Sequence, residues 1–92
     1  MRLGFGLPVA GDAATPAAIA ETARRAEALG YASVWTFQRL LYPETPRNEY
    51  YGSPGAWPAA FRSVLDPVVA LTWAAAHTRT IRLGVSVLIM PF

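Results

Sequence analysis

Three short apolar stretches, separated by two segments with helical features, constrain the fold of this 92-residue chain. The stretches are Arg2–Val9, Tyr31–Arg39 and Ile81–Pro91. Each helical segment begins with a capping side chain followed by proline, at Thr15-Pro16 and at Asp66-Pro67. Because strands that are joined through helices run parallel, this order predicts an α/β fold with a parallel β-α-β-α-β sheet. The second stretch is expected to be the middle strand.

The two helical segments differ in how much of their surface is apolar. The first runs from the Thr15 cap to about Leu29, has one apolar face, and is followed by Gly30 in the position that favours a left-handed helix end. The second, Val68–His77, is apolar on nearly every side. A helix of that kind is expected to be covered on more than one face.

A long connection at about residues 40–65 follows the middle strand and matches neither helical nor strand periodicity. An ordinary strand-to-helix loop has roughly 2–6 residues, and much longer ones are typical of lids and binding loops. Its aromatic residues Tyr50, Tyr51 and Trp57 could line a substrate pocket, or they could cover the second helix and hold the loop in place. Both alternatives remain open, and Ala59–Val64 is expected to form one helical turn.

Composition limits the function classes. The chain is 53% hydrophobic and 15% charged, which excludes disorder, and its length allows one domain. A net charge of +2 with scattered basic residues is not the pattern of a nucleic-acid or membrane-surface binder. With no cysteine and one histidine, thiol chemistry is excluded and a metal site has no support. No leader pattern or membrane-spanning run is seen, so we expect a cytoplasmic protein.

Gln38 and Arg39 form the polar end of the middle strand. Catalytic groups of parallel α/β proteins gather at the carboxyl ends of strands. Arg39 could hold an anionic substrate or a negatively charged ring, and Gln38 could bond to a carbonyl group. The alternative is an ordinary solvated strand end. A further alternative is a small nucleotide binder with a phosphate near Thr15, although the glycine spacing of the first turn does not fit the dinucleotide fingerprint.

Two sequence patterns carry a family resemblance. One is A-A-x-T-x-x-I-x-L-G-x-x-V over Ala75–Val87, and the other is A-E-x-x-G-[YF]-x-S-x-W over Ala26–Trp35. Together with Asp66-Pro67 they resemble the luciferase-like monooxygenase family. Within that family the pattern is most similar to members that use the deazaflavin coenzyme F-420.

The resemblance implies a (β/α)8 barrel of the TIM type, with the cofactor ring in the mouth formed by the carboxyl ends of the strands. It also implies an oxidoreductase that transfers hydride between a small organic substrate and F-420 or FMN. The chain resembles only the first three strands, so we expect it to be the N-terminal part of a larger barrel. The alternative is a non-catalytic fragment or assembly subdomain that lacks the cofactor phosphate site. Expected partners are a small-molecule substrate and either a second copy or another chain that pairs with the open strand edges.

Two positions can be carried over from the family. Its third strand has a bulge, often with a non-prolyl cis peptide, that backs the cofactor ring, and Ser86-Val87 occupies that place. Its second strand often ends in W-x-x-[DE]-H, where this chain has Gln38 and Arg39. Because arginine cannot act as a general base at neutral pH, the resemblance predicts that Arg39 binds a carboxylate or stabilises the reduced ring.

Overall fold

The fold is a three-stranded parallel sheet covered on one face by two helices. A computed structural model describes residues 1–48, 50 and 57–89. The regular elements are β1 (Gly4–Gly6), α1 (Pro16–Ala28), β2 (Ser33–Thr36), α2 (Pro67–Ala76) and β3 (Arg82–Val85). Short 3₁₀ turns lie at Gly11–Ala13 and Ala59–Arg62, the second of them where one helical turn was predicted.

The strand order is β1-β2-β3 with both pairs parallel, so the predicted sheet and its middle strand are confirmed. Phe5, Val34 and Leu83 lie side by side across the three strands. The architecture is compatible with the first part of a TIM barrel.

Both helices begin where the capping residues predict, and α1 ends just before Gly30 as predicted. The Thr15 hydroxyl accepts a hydrogen bond from the Ala18 amide at 3.1 Å, and Pro16 opens α1. The Asp66 carboxylate accepts from the first amides of α2 at 2.9 Å. Gly30 follows α1 with a φ of 90°, which a residue with a side chain rarely adopts. No helix in the described part of the chain has the length and apolarity that a membrane crossing requires.

The hydrophobic core lies between the helices and one face of the sheet. Val9, Ile19 and Val34 are almost completely buried there, and Ala23 and Ala74 are fully buried where the helices approach. Alanine at such contacts lets a helix lie close to its neighbour because no long side chain separates them.

Two burial predictions were wrong. α2 buries only one stripe, and Val69 on its outer side is 67% exposed. Within the described part of the third apolar stretch, residues 81–89, the strand covers Arg82–Val85, and Leu83 is 40% exposed instead of buried. The described residues provide one helical layer on one side of the sheet. Val69 lies on the outer side of that layer, and Leu83 faces the layer from β3, which is at the edge of the described sheet, so neither side chain is fully covered.

Trp35 lies across the uncovered face of the sheet. A Cβ atom added to Gly84 would lie 2.6 Å from the indole ring of Trp35, and one added to Gly4 would also collide with it. The indole N–H donates to the Ser33 hydroxyl at 2.8 Å. The two glycines on the neighbouring strands thus create the space in which the ring lies.

Glu27 joins the end of α1 to the turn that precedes β3. Its carboxylate accepts hydrogen bonds from the amides of Arg79, Thr80 and Ile81 at 2.9, 2.7 and 2.9 Å. The Thr80 and Ile81 amides, followed by that of Arg79, lower the pKa of Glu27 to about 2. This glutamate belongs to the second sequence pattern, and the structure gives it a positional role that the pattern alone did not indicate.

Substituting Gly84 by alanine should destabilise the fold. The added methyl group would overlap the Trp35 ring, and overpacking of this kind costs about 1–3 kcal/mol in the free energy of unfolding. Urea denaturation of Gly84→Ala measures the loss. Gly6→Ala is the matched control, because a Cβ at Gly6 meets nothing within 4 Å. An equal loss in a Trp35→Ala background would contradict the proposed steric cause.

Removing the Glu27 charge should lower stability at neutral pH but not at very low pH. The pKa of Glu27 is depressed in the folded state, so its contribution is present above about pH 4.5 and is lost as the pH falls towards about 2. Thermal unfolding of Glu27→Gln should therefore show a lower midpoint than the wild type at pH 7, with the difference closing near pH 2. Glu21→Gln is the control, since Glu21 is exposed and makes only a 3.9 Å ion pair with Arg24.

Candidate functional site

A cavity of about 750 Å³ opens at the carboxyl ends of β2 and β3. Its wall is formed by Gln38, Arg39, Leu40, Leu41, Val87 and Ile89. The volume is in the range of sites for small molecules and cofactors. Its position is the one at which parallel α/β sheets place their ligands. Smaller hollows along α1 and at the amino end of the sheet lie away from this edge.

The hydrogen-bond ladder between β2 and β3 shifts by one residue at Ser86-Val87. The Ser86 amide donates to the Thr36 carbonyl at 2.9 Å, as the regular register requires. In the same register the Gln38 amide would donate to Ser86, but it donates to the Val87 carbonyl at 3.0 Å. Two residues thus occupy the place of one, which is a bulge. The bulge predicted for this position is present, and Val87 lies on the cavity wall.

Gln38 holds the segment after the bulge through two groups. Its backbone amide donates to Val87, and its side-chain Oε1 accepts from the Ile89 amide at 2.6 Å. An acceptor at this point satisfies a backbone donor that the end of the β3 ladder would otherwise leave without a strand partner. Gln38 therefore sets the course of the backbone along the cavity.

Arg39 points its guanidinium group at a cluster of aromatic rings. Its central carbon lies 4.3 Å from the centre of the Phe61 ring, 5.5 Å from that of Trp57 and 5.7 Å from that of Tyr50. These distances are those of cation–π contacts. The arginine thereby connects the end of β2 to the long loop and to the 3₁₀ turn at Ala59–Arg62.

The long loop is held by its own aromatic residues. The Tyr42 hydroxyl donates to the Trp57 carbonyl at 2.9 Å, and the Trp57 indole donates to the Asn48 carbonyl at 3.1 Å. Tyr50 packs on Trp57 with ring centres 5.0 Å apart. Tyr51 lies outside the described residues. Among those that are described, Tyr50 and Trp57 belong to the cluster behind Arg39 and are not on the cavity wall, and their substrate-binding role remains a prediction.

Ser86 lies next to the cavity but its hydroxyl group is used internally. Its Oγ donates to the Thr36 carbonyl at 3.3 Å, beside the bond made by its own amide. The Thr36 hydroxyl in turn donates to the Pro67 carbonyl at the start of α2. The serine therefore stabilises the bulge through its two hydrogen bonds to β2.

The sequence did not identify three wall residues, Leu40, Leu41 and Ile89. The available signal was their position, because Leu40 and Leu41 come just after the polar end of the predicted middle strand and Ile89 lies near the end of the third stretch. An exposed leucine pair after such an end is a feature of a binding site as well as of a loop. Leu41 is 84% exposed here.

Two other candidate groups have structural partners. The His77 ring lies 2.8 Å from the Trp73 carbonyl and packs on the Trp73 ring. The Thr15 hydroxyl caps α1. Among the residues that the structure describes, no group of three or more acidic, histidine or cysteine side chains could hold a metal ion.

The fold is that of an α/β protein compatible with the first part of a TIM barrel, and its candidate site lies at the carboxyl ends of parallel strands. The family model for luciferase-like monooxygenases matches residues 1–92, and the chain belongs to that family. The family indicates a flavin-type oxidoreductase or monooxygenase, and flavin-type cofactors are common in it. No match to the chain was found among curated proteins or among solved structures.

Replacing Gln38 by leucine should loosen the segment after the bulge. The change removes the acceptor of the Ile89 amide, and an unpaired backbone donor costs about 1–3 kcal/mol where water cannot replace the partner. Amide hydrogen exchange at Ile89 should become faster, and the urea midpoint should fall. Gln38→Glu keeps an acceptor oxygen and serves as the control. Unchanged exchange at Ile89 in Gln38→Leu would contradict the positional role.

Proposed function

We propose that this chain supplies part of the cofactor and substrate site of a flavin- or F-420-dependent oxidoreductase. The observation that carries the proposal is the bulge at Ser86-Val87 beside the cavity at the carboxyl ends of β2 and β3. The match to the luciferase-like monooxygenase family supports it. In this proposal residues 1–92 form the N-terminal portion of a (β/α)8 barrel.

The residues of the cavity fit the ring system of such a cofactor. Val87 and Ile89 provide an apolar surface on which a planar ring can rest. When bound, FMN or F-420 supplies the hydride chemistry. The chain's own contribution is to position the ring, and Gln38 does so indirectly by holding the backbone from Val87 to Ile89.

The remaining predicted residues have supporting roles in this proposal. Arg39 contributes positive charge at the wall, and Tyr50 and Trp57 hold Arg39 in place through their rings. Tyr51 is proposed to contact substrate from the same loop. Which cofactor is used is part of the proposal, with F-420 favoured by the two sequence patterns.

Titration of the protein with FMN and with F-420 tests the proposal. Binding should quench cofactor fluorescence, and Val87→Lys should weaken binding about tenfold or more, because a tenfold change needs only about 1.4 kcal/mol and the lysine places a charged chain on the ring surface. Val68→Lys on the exposed side of α2 is the matched control and should bind as the wild type does.

The proposal fails if neither cofactor binds, or if Val87→Lys and Val68→Lys bind equally well. Circular dichroism of both variants ensures that a loss of binding is not a loss of fold. Preference between the two cofactors is read directly from the two titrations.

A second candidate function is assembly without catalysis. It is favoured by the uncovered sheet face, on which Trp35 is 42% exposed, and by β1 and β3, which are both edge strands of the sheet. Edges of this kind pair readily with other strands. A protein that self-associates in analytical ultracentrifugation but binds neither cofactor would favour this candidate.

A further inference from the structure

Among the described residues of the cavity wall, Arg39 is the one that carries a charge. Four of the six wall residues are aliphatic: Leu40, Leu41, Val87 and Ile89. Gln38 is the other polar one, and its Oε1 already accepts from the Ile89 amide. A ligand that enters this cavity therefore meets, on the described part of its wall, an aliphatic surface beside the one cationic residue Arg39.

The Nε atom of Arg39 is buried and has no hydrogen-bond partner among the described residues. Buried polar atoms in folded proteins are nearly always paired, so an unpaired one calls for an explanation such as a ligand. The three aromatic rings stabilise the charge of the guanidinium through their faces. They provide no conventional acceptor for its N–H groups.

The rings also restrict the movement of Arg39. A guanidinium held at 4.3 Å over Phe61 loses much of the rotational freedom that an exposed arginine has. Donors that are held in place before binding cost less entropy when an acceptor arrives. Arginine is also the side chain whose fork of donors best matches a carboxylate.

We propose that the substrate of this oxidoreductase is an anion with an apolar body, and that Arg39 binds its carboxylate. That the bound anion is a substrate of an oxidoreductase rests on the proposed function. That the cavity binds an anion does not depend on it. The apolar body would lie against the aliphatic wall, and the head group would accept hydrogen bonds from the guanidinium group of Arg39. Arg39 is thus a specificity-determining residue in this proposal.

Isothermal titration of the whole protein with octanoate and with octanamide tests the inference. The two probes share an apolar chain and differ in charge. The wild type should bind octanoate at least about tenfold more tightly than octanamide, which is the effect of a charge-assisted hydrogen bond. Arg39→Met should lose that preference and bind octanoate and octanamide about equally.

Arg62→Met is the matched control. Arg62 also lies over an aromatic ring, at 4.3 Å from the centre of Tyr42, but it is not on the cavity wall. It should keep the preference for octanoate. Arg39→Lys retains the charge and should keep part of the preference, which guards against a general disturbance of the loop in Arg39→Met.

Equal binding of octanoate and octanamide to the wild type would overturn the inference, whatever the variants do. An Arg62→Met protein that loses the preference as fully as Arg39→Met would also overturn it. The proposed function fails separately. Octanoate preference without any binding of FMN or F-420 would support the anion site and refute the cofactor site, and cofactor binding without octanoate preference would do the reverse.

Discussion

The alternation of side chains along β2 is the constraint on which the rest of the structure depends. Val34 and Thr36 point into the helical layer, where both are almost fully buried, and Trp35 between them points to the opposite face. Since successive side chains of a strand alternate between faces, a shift of one residue would place the indole in the core. The glycines that flank Trp35 on β1 and β3 are suited to this one register.

The same strand connects the core to the candidate site. Thr36 accepts both hydrogen bonds of Ser86 at its carbonyl and donates from its hydroxyl to the start of α2. At Val87, one residue after Ser86, the hydrogen-bond register between β2 and β3 is shifted by one residue. Gln38 holds the displaced backbone through the Ile89 amide. The bulge is therefore supported by buried contacts on one side and by a polar side chain on the other. A site that must present backbone to a ligand benefits from such rigid support.

Much of the fold could be predicted from local patterns. Thr15-Pro16, Asp66-Pro67 and Gly30 determine the helix ends through their own backbone and side-chain geometry, and the structure confirms all three. The extent of the third strand could not be predicted in this way. Its β-branched run indicated burial on both faces, but burial depends on which layers are present to cover a strand. Leu83 lies beside buried Val34 on the face that the helices cover, but β3 is at the edge of the described sheet and Leu83 stays 40% exposed.

For the candidate site, the sequence by itself determined that polar groups lie at the end of β2 and that Ser86-Val87 lies at the end of β3. It also established the family, because residue types at fixed spacing are a property of the chain alone. Only the tertiary structure decided that Gln38 bonds to the Ile89 amide, that Arg39 faces three rings, and that Glu27 binds the turn before β3. Each of these contacts joins residues far apart in sequence, and their distance and direction depend on how the helices and strands pack.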